Sequence, residues 1–153
     1  MCGRLGVIFH FDGIQWTQIT VDRGATDPTA LPLFTVHGNA TEVAVTGGAS
    51  NGVIYELVGS TFENRATPGM PPLNGVFLRP DGTGVAVGVA GTVAYRGATG
   101  WQQQPGIETA LDLHGVWIDP DGGVWAVGGD LTTSLDQGMV IYGGTAAVGS
   151  TIR

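Results

Sequence analysis

Two stretches of the chain lie one over the other: LNGVFLRPDGTGVAVG (Leu73–Gly88) and LHGVWIDPDGGVWAVG (Leu113–Gly128). They share Leu, Gly, Val, an aromatic residue, Pro-Asp-Gly, Val and Ala-Val-Gly, with one residue deleted in the second. A degraded third copy, LPLFTVHGNATEVAVT (Leu31–Thr46), matches without gaps 42 residues earlier. In that alignment Asn39-Ala40 stands for Asp81-Gly82, and Val43-Ala44-Val45 stands for Val85-Ala86-Val87. A second marker keeps the same rhythm. Gly6, Gly52, Gly91 and Gly138 are each followed two positions later by a β-branched residue, and ten positions later by Trp16, Phe62, Trp101 and Val148. The copies recur every 39 to 47 residues. A period of this length outranks every local signal in deciding the fold.

Each unit reads as four short strands. Strand A is LNGVFLR, a Pro-Asp-Gly turn follows, and then come strand B (GVAVGV), strand C (GTVAYRG) and strand D, starting at WQQQ. Proline presets the first corner of such a turn, Asp braces its backbone, and Gly takes the left-handed position. The near-continuous Val/Ala run of strand B suits a strand covered on both faces. The chain has 27 glycines, which fall between these apolar runs, and no amphipathic helical stripe interrupts them. Four antiparallel strands in about 40–45 residues is the size of one β-propeller blade. The expectation is an all-β fold: a β-propeller, or an incomplete propeller segment, of four-stranded antiparallel blades. A solenoid has shorter coils, and a sandwich does not explain the register.

The unit L-x-G-V-W/F, P-D-G, V-W/A-V-G, G-x-V/I, W resembles the tandem blade repeats of bacterial secreted β-propellers, including the glycine- and tryptophan-rich repeats of myxobacterial proteins. It is similar, more distantly, to photosystem II assembly-factor, Asp-box and two-component-regulator propellers. The Leu113–Gly128 copy and GVIFHFDGIQW (Gly6–Trp16) carry the likeness best. It departs at the Leu31 copy, which lacks the aromatic and Pro-Asp-Gly, and at Val148. The resemblance implies an extracellular or periplasmic protein and a non-catalytic binding or scaffold module.

Aligning the start places MCGRLGVI on AVGVAGTV (Ala86–Val93), so that Gly3 matches Gly88 and Gly6 matches Gly91. About three and a half blades are then visible in one segment: a half blade over 1–30, and blades over 31–72, 73–112 and 113–153. Closed propellers have four to eight blades. The expectation is a fragment of a larger repeat protein, or a piece completed by other blades or by self-association. Cys2, the only cysteine, falls on the position of Val45, Val87 and Val127 and reads as a small apolar strand residue, not a lipid anchor.

Loop length carries the functional hint. B–C loops run from VA (Val89-Ala90) to GDLTTSLDQ (Gly129–Gln137), and D–A connections vary as TVDRGATDPTA, ENRATPGMPP and GIETALD. In a propeller these two loop classes share a face, and variable loops on a rigid scaffold are where binding concentrates. The candidate binding residues are Arg23, Asp27, Arg65, Met70, Glu108, Asp130, Leu131, Asp136 and Gln137, for a protein or glycan partner.

Catalytic and cofactor chemistry finds little footing. DPDG (Asp119–Gly122) lacks the alternating ligands of a calcium loop, and its first Asp is Arg79 in the neighbouring copy. His10, His37 and His114 lack zinc spacing, and no serine has a nucleophile elbow. No catalytic residue, metal or cofactor is expected, and the chain is not expected to be an enzyme. The alternatives are a fragment of a sialidase-like propeller hydrolase and a purely structural spacer. Trp16, Trp101, Trp117 and Trp125 read as packing residues, with a carbohydrate platform as the sharper alternative. A net charge of −7, with six arginines and no lysine, offers no footprint for nucleic acid. Apolar runs are too short for a membrane span, and the opening residues show no leader pattern.

Overall fold

Short apolar runs separated by Gly-rich turns favour hairpins over helices. A computed structural model describes residues 1–22, 31–105, 109–131, 133 and 137–144, and among them the regular elements are strands and two three-residue helical turns. The first strands are β1 (Cys2–Gly3), β2 (Val7–Phe11) and β3 (Trp16–Val21). A full unit follows as β4 (Leu33–Gly38), β5 (Val43–Gly48), β6 (Gly52–Val58) and β7 (Thr61–Asn64). The next is β8 (Leu73–Leu78), β9 (Gly84–Gly88), β10 (Val93–Gly97) and β11 (Gly100–Gln103). The last described strands are β12 (Leu113–Ile118), β13 (Val124–Gly129) and β14 (Gly138–Gly143). The protein is all-β, as expected.

The sheets do not divide as four separate blades would. β8–β11 form one four-stranded sheet and β12–β14 one three-stranded sheet, but β1–β3 and β4–β7 share a seven-stranded sheet of order β1-β2-β3-β7-β6-β5-β4. The join is a short parallel pairing, Thr20 with Thr61 and Val21 with Phe62. It gives the outer strands β3 and β7 partners for edge groups that would otherwise stay open. The sheet curls until β1 packs against β4. The fourth strand expected from Val148 lies outside the described residues.

Register follows the repeat, with one correction. Leu73 faces Gly88, Leu113 faces Gly128, and Leu33 faces Gly47, each followed by the same bulge. The counterpart of Leu73 in the first unit is therefore Leu33, not Leu31, and Thr46, not Val45, stands with Val87 and Val127. The cause is steric. A Cβ on Gly47, Gly88 or Gly128 would lie 2.1, 2.1 and 2.0 Å from the carbonyl oxygens of Pro32, Pro72 and Asp112. The strand pair closes on the glycine, whatever the Val/Ala run beside it suggests. The first turn is also one residue shorter: Asn39 N–H donates to the Glu42 carbonyl, where Arg79 reaches Thr83 and Asp119 reaches Gly123. His37 thus takes the aromatic position of Phe77 and Trp117, and its ring lies 4.3 Å from that of Phe77.

Apolar clusters fill the gaps between successive layers. Val45, Val53, Tyr55 and Phe62 pack with Ile8; Ala44 and Ile54 pack with Leu73, Leu78, Ala86, Ala94 and Trp101; Val85 and Val87 pack with Leu113, Ile118 and Ala126. Each fully buried leucine or valine of this kind contributes roughly 1.5–3 kcal/mol. Polar side chains tie one unit to the next, at neighbouring positions of the first strand and at the repeated first residue of its turn. Thr35 Oγ1 donates to the Asn74 carbonyl (2.6 Å), and Asn74 Nδ2 to the Leu113 carbonyl (2.9 Å). Asn39 Nδ2 likewise donates to the Arg79 carbonyl at 2.8 Å, and Arg79 to the Asp119 carbonyl at 3.5 Å.

Candidate functional site

The turns from the second to the third strand of each unit meet the connections that lead into the next unit. Gly52 N–H donates to the Met70 carbonyl (2.7 Å), Val89 N–H to that of Pro72 (2.9 Å), and Ala90 N–H to the Asp112 carboxylate (2.9 Å). Both loop classes therefore lie on one side of the array. The turns Arg4–Gly6 and Val89–Gly91 match, with Leu5 and Ala90 both left-handed at φ 67° and 51°. This equivalence carries the alignment of Gly3 with Gly88 into three dimensions. It also places Cys2 opposite Ile8, as Val87 lies opposite Val93. Cys2 is half-buried against the first apolar cluster, and burial pushes its thiol pKa up.

On this side the expected binding residues separate. Asp130, Leu131 and Gln137 belong to one loop, closed by Asp130 N–H donating to the Gln137 carbonyl (3.1 Å), with the Asp130 carboxylate accepting from Thr133 N–H (2.9 Å). Leu131 is exposed. Arg65 stands on the seven-stranded sheet, exposed and paired with Glu63 at 2.8 Å. Met70 is not a surface residue. It is 1% exposed and fills the core between β4–β7 and β8–β11, so its side chain is unavailable to a ligand. Arg23, Asp27, Glu108 and Asp136 lie outside the described residues.

A groove that sequence reasoning missed runs between the outer strands of these two sheets. Its volume is about 750 Å³, and its lining includes Glu56, Arg65, Asp81, Arg96, Trp101 and the turn over 97–100. Arg96 anchors the wall. Its guanidinium contacts Glu42 at 2.8 Å and Glu56 at 2.6 Å and donates to the Gly82 carbonyl. Trp101 Nε1 donates to the same Glu56 oxygen, Oε1, at 2.8 Å. Burial alone would lower the Arg96 pKa, but the two carboxylates outweigh it and hold it above its ordinary value. The hydrogen bond from Arg96, helped by Asn39, holds the Glu42 carboxyl below the usual range. These groups satisfy one another, so the cluster clamps two units together; Arg65, paired with Glu63, and Asp81, accepting from Thr83, line the rest of the groove. A signal for it existed in the repeat. Arg96 occupies the position of Phe11 and Leu57, each opposite the aromatic residue of the next strand. A charge at an apolar repeat position calls for a partner across the layer.

The remaining polar features serve turns. Asp119 accepts from Gly123 N–H (2.7 Å) and from Trp125 Nε1 (3.2 Å), which accounts for its carboxylate without a cation. His37 Nδ1 accepts from Leu78 N–H at 3.1 Å, and burial holds its pKa below the ordinary value. Among the described residues no group of three or more His, Cys, Asp or Glu side chains is placed to hold a metal ion. Among the described residues no helix is long and apolar enough to cross a membrane. No protein-family model, curated protein or solved structure matches the chain.

Proposed function

We propose that the chain is an extracellular or periplasmic propeller-type repeat module, of the kind its sequence resembles, that acts as a non-catalytic binding scaffold. The observation that carries this reading is the contrast between a repeated frame and an unrepeated loop side. Three units share one strand register and one bulge, and the first residue of the turn, Asn39 or Arg79, donates to the matching carbonyl of the next unit. The loops gathered on one side differ from unit to unit in length and sequence. A rigid frame with variable loops suits recognition of a protein or glycan surface. The edge-to-edge join of β3 and β7 fits this reading as a local closure at the outer rim of two stacked units.

The test is a glycan array together with a protein-interaction screen on the immobilised chain, repeated with Leu131→Asp and Gln137→Ala. Specific binding weakened about tenfold or more by these substitutions supports the reading. Absence of any specific ligand, or a ligand indifferent to the loop variants, overturns it.

A further inference from the structure

Among the described residues nothing covers the two end faces of the array, and in this alone they differ from its interior. Consider the last layer. Trp117, Trp125, Val127, Val140 and Tyr142 lie on the side of β12–β14 opposite the one packed on β8–β11, paired in register across the three strands. Trp125 and Tyr142 stack with ring centroids 4.6 Å apart. Their counterparts one unit earlier are Phe77, Val85, Val87, Val93 and Tyr95. Val87 is fully buried there because β12–β14 cover it, whereas Val127 at the same position is 48% exposed.

The first layer shows the complementary face. Val7, Phe9, Phe11 and Trp16 hold the places of Thr92, Ala94, Arg96 and Trp101. Trp101 is 2% exposed, and so is Phe62 at the same site in the first full unit, but Trp16 is 56% exposed. Inside the molecule, Ala94 and Trp101 pack against Ala44 and Ile54 of the preceding unit. Phe9 and Trp16 take the positions of that pair, and Trp125 and Val140 take the positions of Ala44 and Ile54. The last face of one chain is thus equivalent to a surface that, inside the chain, is always covered by the first face of the next unit.

We infer that a second copy of this chain docks head to tail, the β12–β14 face of one copy receiving the β2–β3 face of the other and continuing the internal stacking across the interface. Such contacts are heterologous: two different faces meet, and they close a ring or extend an array according to the rotation between copies. Contiguous apolar surface of this kind marks an interaction site, and none of the nine side chains is charged. The inference concerns the ends of the array and is independent of what its loop side binds.

Light scattering after size exclusion, over a dilution series of the whole chain, tests it with Val127→Asp on one face and Trp16→Glu on the other. Both side chains are exposed in the single chain, and circular dichroism of each variant checks that the strands persist. The wild type is expected at twice the 15.7 kDa chain mass or above. Each variant alone is expected as a monomer, and an equal mixture of the two forms a pair, because each brings the intact face that the other lacks. A blue shift of tryptophan emission should accompany association in the wild type. A monomeric wild type at all concentrations overturns the inference. So does association unaffected by either variant, or lost with one variant only, which would place one face against itself.

Discussion

At the scale of single residues, the departures from the repeat are the informative positions. Thr46 stands where the later units carry Val87 and Val127. It is fully buried, and its hydroxyl has no hydrogen-bond partner. A buried, unsatisfied hydroxyl costs about 1–3 kcal/mol, and valine has nearly the same shape. Thr46→Val should therefore raise stability by about 1 kcal/mol, read as a higher urea midpoint at unchanged slope. A lower midpoint would mean that the hydroxyl is satisfied in solution. His37 is the second departure. Its pKa is lowered by burial, and its Nδ1 accepts from Leu78 N–H, an arrangement that needs the neutral ring. The unfolded chain takes up the proton first, so the stabilisation is complete above the ordinary histidine pKa of about 6.5 and is lost as pH falls toward the lower folded value. Unfolding measured between neutral pH and pH 5 should show stability declining with acid. His37→Gln, which keeps an acceptor but cannot titrate, should flatten that slope. An unchanged slope would assign it to another group.

At the scale of elements, the strand pairs turn on glycine more than on valine. Gly88 and Gly128 end the pairs that begin at Leu73 and Leu113, and those boundaries were legible because the sequence aligned both glycines. The first unit was misplaced by one residue on β5 and two on β4. A run such as Val43-Ala44-Val45 is apolar on both faces and slides past its counterpart without penalty, while Gly47, the true landmark, was not matched to Gly88. The Arg96 clamp was legible only as a charge at an apolar repeat position: Glu42 in the turn before β5, Glu56 on β6 and Arg96 on β10 belong to two units and meet only when the layers stack. The glycine argument is directly testable. Gly88→Ala puts a methyl group 2.1 Å from the Pro72 carbonyl oxygen, a backbone atom that cannot rotate away. Destabilisation of at least about 3 kcal/mol is expected, in the range reserved for backbone conflicts and core disruption. Gly97→Ala is the control, since nothing lies within 4 Å of its added methyl group, and it should shift the urea midpoint little. Equal losses at the two positions would remove the steric explanation.

At the scale of the whole molecule, stability has a direction. Layers that contact only their neighbours behave as a one-dimensional array in which each gains from the interfaces on either side. β8–β11 have two such interfaces, one with the β4–β7 half of the curled sheet and one with β12–β14. β12–β14 have one interface, and their other side exposes Trp117, Val127 and Val140. Local opening should begin where a layer has one partner and reach the doubly covered layer last. Native-state hydrogen exchange should therefore protect the amides of β9 most strongly, since its residues are all buried, and those of β13 and β14 less. β2 likewise has one cover, from the β4–β7 half of the curled sheet, so its protection should resemble that of β13 and β14. The same experiment at high protein concentration separates intrinsic weakness from a missing partner. If a second copy covers the end faces, β14 and β2 should gain protection together while β9 stays unchanged. Uniform protection along the array would instead mean that the layers open as one cooperative block. The end faces would then carry no separate energetic signature.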